Sequence, residues 1–202
     1  MKLLIFDFDG TIVDSKAVWY KALEKHLGNL GLGKKEVDNI IDLGYNVSEN
    51  LEELGLTKIE NVVKMRIMSD VLRQVDKVKK CKDVDSIKNL TGKKVLISNS
   101  VSGFILPILE RLKLKNCFQE IYGADSFEDK EEFVKKYLKE KKISKKDVYY
   151  IGDRKADVIL ARKVGVKSII ISGKCAWDSR KEVLSTSPDY VLDSLKDLKK
   201  II

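Results

Sequence analysis

The stretch KLLIFDFDGT, residues 2–11, decides how the rest of the chain is read. Lys2 to Phe6 is a short apolar run with no polar face, which predicts a parallel strand covered on both sides. Acid stands at its tip. Side chains at i and i+2 of a strand share a face, so Asp7 and Asp9 would point the same way if the strand continued, unless the chain turns at Gly10 and Thr11. Either way negative charge is concentrated at one strand end. Two close carboxylates repel and shift each other's ionisation unless a cation or a proton lies between them, so the arrangement calls for a partner.

Working outward, the rest of the 202-residue chain has two textures. From Asp14 to about Lys82 it is patterned as helix. SKAVWYKALEKHLGNL and IENVVKMRIMSDVLRQV carry apolar residues three and four apart, the region is broken by glycines, and no strand is predicted there. From Asp83 onward helix and strand alternate. VDSIKNL precedes KVLIS, FILPILERLKL precedes EIYG, EEFVKKYLKEK precedes VYYIG, ADVILARKVG precedes SIIIS, and DYVL leads into a short terminal helix. That alternation predicts a parallel sheet with crossover helices. The first strand belongs to the same sheet. The expected class is therefore α/β, with a Rossmann-like core formed by residues 1–13 and 83–202 and a small helical cap, residues 14–82, inserted after strand one.

Composition sets bounds on partners. With 44% hydrophobic residues the chain can bury a real core. No apolar run is long enough to cross a bilayer, and the five apolar residues at the start are too few for a signal peptide, so a cytoplasmic protein without a membrane partner is expected. The formal charge of +8 comes from lysines dispersed among acids, as in EKKISKKD, and lacks the basic and aromatic stripe of a single-strand-binding surface. No nucleic-acid partner is expected, and oligomeric state is left open. Cys81, Cys117 and Cys175 are odd in number and widely spaced, which fits neither a disulfide framework nor paired zinc ligands; buried, idle thiols are expected. His26 lies on an amphipathic cap helix and is read as a surface residue.

In open parallel sheets ligands bind at the carboxyl ends of the strands. Asp7 and Asp9 follow strand one, Ser98, Asn99 and Ser100 follow KVLIS, Asp153 and Asp157 follow VYYIG, and Lys130 opens the helix after EIYG. Each residue type has work to do if the ligand is a phosphate monoester. Mg²⁺ takes hard oxygen ligands and keeps several waters, so Asp7 and Asp153 with a backbone carbonyl near Asp9 suffice alongside a phosphate oxygen. The cation would also let an anionic carboxylate approach an anionic phosphate. Asp7 could then attack phosphorus, dividing one displacement into two through an aspartyl phosphate. Asp9 is placed to protonate the leaving oxygen and then to deprotonate water. Ser98 and the amides beyond it, including that of Asn99, could bind phosphate oxygens, while Lys130 offers a compact positive charge to them and to Asp7. From the cap, Tyr45, Asn46 and Arg66 could face the remainder of the substrate.

DFDGT after an apolar strand, a serine ending the second core strand, a lysine opening a later helix and GDRKAD after a fourth strand resemble, in that order, the four motifs of the haloacid dehalogenase superfamily of phosphohydrolases. The resemblance covers the whole chain. It implies Asp7 as nucleophile, Asp9 as acid and base, Ser98 as phosphate-binding hydroxyl, Lys130 as stabilising lysine, and Asp153 as metal ligand supported by Asp157. IDLGYNVSENLEELGL and the ending SIIISGKCAW...SPDYVLDSLKDL are most similar to phosphoglycolate phosphatases and their relatives with a small helical cap. One departure stands out. The family's lysine is often followed by proline, whereas Lys130 sits in EDKEEF, with Lys135 and Lys136 as rivals deeper in the helix. The implied function is a Mg²⁺-dependent phosphatase acting on a small phosphorylated metabolite. A phosphomutase on the same scaffold is the alternative enzyme, and a receiver-type phosphoaspartate signalling module the alternative from another class.

Overall fold

In the computed structural model, which describes residues 2–42, 51–52, 55–56 and 58–202, Leu3–Phe6 form β1 at the centre of a six-stranded sheet. All four residues of β1 are buried, as a strand sandwiched between two layers requires. The sheet continues with β4 (Lys93–Ile97), β5 (Glu120–Tyr122), β6 (Val148–Gly152), β7 (Lys167–Ile171) and β8 (Tyr190–Leu192), in the order β5-β4-β1-β6-β7-β8. Every neighbouring pair is parallel. All six strands are those that the alternating pattern predicts.

The two sheet faces divide by strand parity. Leu4, Phe6, Leu96, Tyr149 and Ile151 pack toward α4 (Ser102–Arg111), whereas Leu3, Ile5, Val95, Ile97, Val148 and Tyr150 pack toward α5 (Lys130–Glu140) and α6 (Lys155–Val164). A last short helix, α7 (Arg180–Leu184), carries a Ser179/Glu182 capping box, and the chain ends in a 3₁₀ turn, Leu195–Lys200. The chain leaves β1 for β4 and β5 on one side, then crosses to β6, β7 and β8 on the other. The reversal places the carboxyl ends of β1, β4 and β6 around one crevice.

Between β1 and β4 lie α1 (Lys16–Gly28), α2 (Lys34–Asp42) and α3 (Glu60–Leu72). Their buried faces, including Trp19, Leu23, Leu27, Val63 and Ile67, join the same apolar cluster as Phe8 and Phe104. Phe104 is the junction, edge-on to Phe8 at 6.2 Å and to Trp19 at 5.8 Å. Two features depart from the sequence reading. The stretch read as strand-free contains β3 (Lys79–Lys80), which pairs antiparallel with β2 (Val13–Asp14), Val13 opposite Lys80 and Asp14 opposite Lys79. Two residues are too few to show a period, so only the tertiary pairing reveals them. His26 is not a free surface residue. It is half-buried, its Nε2 2.8 Å from Asp70 Oδ2 on α3, and the neighbouring Lys25 reaches the same carboxylate at 2.7 Å.

Candidate active site

Asp7 is the first residue beyond β1, and its N–H donates to the Ile151 carbonyl at 2.8 Å, continuing the β1–β6 ladder for one more step. That bond sets Asp7 beside Gly152 and Asp153. The Lys130 ammonium donates to Asp7 Oδ1 at 2.7 Å, and both side chains are only 12% exposed. Lys130 reaches this point because α5 starts on it, with the Asp129 side chain accepting from the Glu132 N–H at 2.7 Å as N-cap. The ring of the fully buried Tyr150 lies 5.5 Å from the ammonium. Lys135 pairs with Glu131 and Glu132, and Lys136 with Glu140, all along the helix itself.

Asp9 is held separately. Its Oδ2 accepts from the Ser100 hydroxyl at 2.6 Å, and its Oδ1 accepts from the Ser15 hydroxyl and from Trp19 Nε1, the latter at 3.3 Å. Enclosure by protein pushes its carboxyl up to about 6. The Ser100 and Ser15 hydrogen bonds oppose that rise, and the charge of Asp7 adds to it. Asp9 is thus a group that can carry a proton near neutrality.

Asp153 is fully buried, with Oδ1 accepting from the Thr11 hydroxyl at 3.0 Å and Oδ2 from the Trp177 N–H at 2.7 Å. Burial first, then the negative charges of Asp157 and Asp7, drive its carboxyl well above the ordinary range. Asp157 stands behind it. Its Oδ2 accepts from the N–H groups of Asp153 and Arg154 at 3.0 and 2.9 Å, so it caps α6 and fixes the turn that presents Asp153. Burial and the charge of Asp7 raise it to about 6, with Lys130 opposing.

The glycines of both acidic motifs follow from this crowding. Gly10 has φ +77°, a conformation costly for any other residue, and a Cβ there would overlap the Asp153 carboxylate and the Trp177 ring. A Cβ at Gly152 would overlap the Asp157 carboxylate. Ser98 is buried at the end of β4, its hydroxyl accepting from the Ser100 N–H at 3.0 Å, while Asn99 is exposed between them.

The fold therefore brings together Asp7, Asp9, Ser98, Lys130, Asp153 and Asp157 from four chain segments. Arg66 is exposed on α3, and Tyr45 and Asn46 lie outside the described residues. Sequence reasoning missed Ser15, Trp19, Ser100 and Trp177 as partners of the acids. Ser100 stood in the strand-end motif, but nothing local marks Trp19 or Trp177, because their contacts cross between elements.

Three or more carboxylate, thiol or imidazole groups do not converge on a single point among the described residues. The donors here are hard carboxylate oxygens, and the negative charge of Asp7 works against ionisation of Asp153. That donor set fits a hard divalent ion that retains water, and does not fit a soft one. A model of the haloacid dehalogenase-like hydrolases matches residues 4–171. The chain belongs to that family. As a haloacid dehalogenase-like hydrolase it is 28% identical to a phosphoglycolate phosphatase of Aquifex aeolicus over 211 aligned residues, spanning 100% of this chain and 97% of that one. Phosphoglycolate phosphatase 1 of Pseudomonas aeruginosa is 25% identical over 98% of this chain and 78% of its own length. Among solved structures, a predicted phosphatase from Clostridium acetobutylicum superposes with TM-score 0.84 at 22% identity, covering 99% of this chain and 97% of that one. The α/β fold with its six parallel strands is thus shared with that structure. No helix among the described residues is long and apolar enough to cross a membrane.

Proposed function

We propose that this hydrolase is a Mg²⁺-dependent phosphomonoesterase in which Asp7 takes the phosphoryl group as an aspartyl phosphate. The observation that carries the reading is the division of labour between two neighbouring acids. Asp7 is paired with one ammonium at 2.7 Å, whereas Asp9 is held aside by three neutral donors, its carboxyl raised to about 6 by burial against the opposing effect of those hydrogen bonds. A nucleophile must stay ionised beside positive charge, and a general acid must hold a proton at working pH.

Asp7, Asp153 and the backbone carbonyl of Asp9 would hold the cation; the side-chain oxygens of Asp9 are committed to Ser15, Trp19 and Ser100. When bound, Mg²⁺ supplies charge neutralisation between carboxylate and phosphate. The chain's own groups do the rest. Asp7 attacks phosphorus, and Lys130 balances charge on Asp7 and on the phosphate oxygens. The Ser98 hydroxyl and the amides of Asn99 and Ser100 present donors to those oxygens. Asp9 gives its proton to the leaving alkoxide, then takes one from the water that cleaves the acyl phosphate. Residues 14–82 serve as a helical cap that excludes water in the first half-reaction and admits it in the second. The phosphoglycolate phosphatase names of the relatives direct the substrate reading to a small phosphate ester carrying a carboxylate.

Hydrolysis of para-nitrophenyl phosphate with and without Mg²⁺, followed by a screen of phosphoglycolate, sugar phosphates, nucleotides and pyrophosphate, tests both levels. Turnover that persists in excess chelator would remove the metal from the reading. Transfer of phosphate to a sugar instead of water would replace hydrolysis with mutase chemistry.

A further inference from the structure

Trp177 touches both the acidic centre and the helical insertion through its own backbone. Its N–H donates to Asp153 Oδ2 at 2.7 Å, and its carbonyl accepts from the Lys16 ammonium at 2.8 Å. Lys16 is the first residue of α1, so the second bond crosses from the helical insertion to the loop after β7. The preceding Ser15 donates to Asp9, and the start of α1 therefore meets the acidic centre at two points. An open groove of about 690 Å³, lined by Lys16, Tyr20, Lys174 and the half-buried Cys175, follows the same seam. Lys16 bridges it.

The loop is also clamped to the turn that presents Asp153. Asp178 is buried, its Oδ2 accepting from the Lys155 N–H at 2.8 Å and its Oδ1 lying 3.3 Å from Arg154 Nε. Arg154 directly follows Asp153, and its guanidinium lies 5.3 Å from the Trp177 ring. The same ring comes so close to Gly10 that a Cβ there would stand 2.7 Å from Trp177 Cδ1. Among the described residues the buried indole Nε1 has no hydrogen-bond partner. A buried donor left unpaired costs stability, so what the ring contributes is its packing and not its N–H.

We propose that Trp177 is a positioning residue for Asp153, and that Lys16 makes this hold depend on the seating of the helical insertion. With Thr11 on Oδ1 and Trp177 on Oδ2, both oxygens of Asp153 are aimed by neutral donors. Groups that orient a metal-binding carboxylate in this way govern affinity without touching the ion. Ring packing against Gly10 and Arg154 fixes where the Trp177 N–H points, and the Lys16 bond fixes the same residue from the side of α1. The affinity of the acidic centre for Mg²⁺ is therefore set in part by a cap-helix lysine that does not face it. The inference rests on the reading of Asp153 as a cation-holding group.

The test is calorimetric titration of Mg²⁺ into the full-length protein without substrate, beside metal-free thermal unfolding of each variant. Trp177→Ala should raise the Mg²⁺ Kd about 10- to 100-fold, while Trp177→Phe, which keeps a ring and drops the unpaired donor, should stay close to the parent. Lys16→Met keeps the aliphatic stem and loses the ammonium; it should raise Kd about two- to tenfold with the thermal midpoint unchanged. If Trp177→Ala fails to fold, Trp177→Phe and Lys16→Met carry the test. Parent-like affinity in Trp177→Ala, or a loss in Trp177→Phe as large as in Trp177→Ala, would overturn the positioning role. Lys16→Met that lowers the midpoint and leaves Mg²⁺ affinity intact would overturn the dependence on α1. Asp153→Ala separates the two levels. If it binds Mg²⁺ like the parent, or the parent shows no saturable binding, the metal reading falls and takes this inference with it; if it alone loses binding, only the positioning falls.

Discussion

The acidic sheet edge and the helical layer over it are built on opposite terms. At the sheet edge each carboxylate has a partner fixed by backbone or buried side chain: Asp7 by Lys130, Asp9 by Ser15, Trp19 and Ser100, Asp153 by Thr11 and Trp177. In the helical layer the apolar face toward the sheet is buried through Trp19 and Phe104, yet α3 turns Val62 and Met65 to solvent, 53% and 72% exposed. Geometry that must be held for chemistry is overdetermined. The helical layer is held mainly by apolar packing around Phe104. Trp19 belongs to both, since its ring stacks edge-on to Phe104 while its N–H reaches Asp9.

Five substitutions break or sharpen that contrast, taken from the largest effect. Asp7→Asn should remove turnover and leave the fold in place, a loss of about 10³-fold or more for a group whose bond to phosphorus defines the proposed pathway. Circular dichroism and a phosphatase assay check it together, and turnover within about tenfold of the parent would dissolve the special status of the edge. Asp9→Asn keeps the proposed nucleophile and loses the proposed proton carrier, which should cost about 10²- to 10⁴-fold, less for esters with good leaving groups. An equal loss across leaving groups would argue against proton transfer by Asp9.

Phe104→Ala acts through the junction instead of the chemistry. Truncating a fully buried ring should cost about 3–5 kcal/mol, read as a fall in denaturant midpoint with unchanged slope. A shift below about 1 kcal/mol would mean that the helical layer is not tied to the sheet core there. At the small end, Met65→Lys should move stability by less than about 0.5 kcal/mol, as expected at an exposed site. Arg66→Ala should alter the ranking of carboxylate-bearing and neutral phosphate esters while leaving para-nitrophenyl phosphate nearly unchanged. Uniform loss on every ester would assign Arg66 to packing.

The strands and the acids at their tips were legible in the sequence because both are local: a run of four or five apolar residues and the polar residue that ends it lie within one window. Asp7, Asp9, Ser98, Asp153 and Asp157 could be placed at strand ends from that pattern alone, and helices could be expected where Lys16–Gly28, Lys34–Asp42 and Glu60–Leu72 form them. Lys130 could be preferred to Lys135 and Lys136 by its position at the helix start, but its contact with Asp7 could not be read. It depends on where α5 begins relative to β1, two elements that are distant in sequence, and on Asp129 capping the helix one residue earlier. The same holds for Trp19 and Trp177 at the acids and for His26 against Asp70. Periodicity fixes which face of an element a residue occupies. Only the packing order of the sheet and the pairing of β2 with β3 decide which other face it meets, since those depend on the sum of many burial energies and not on any one segment.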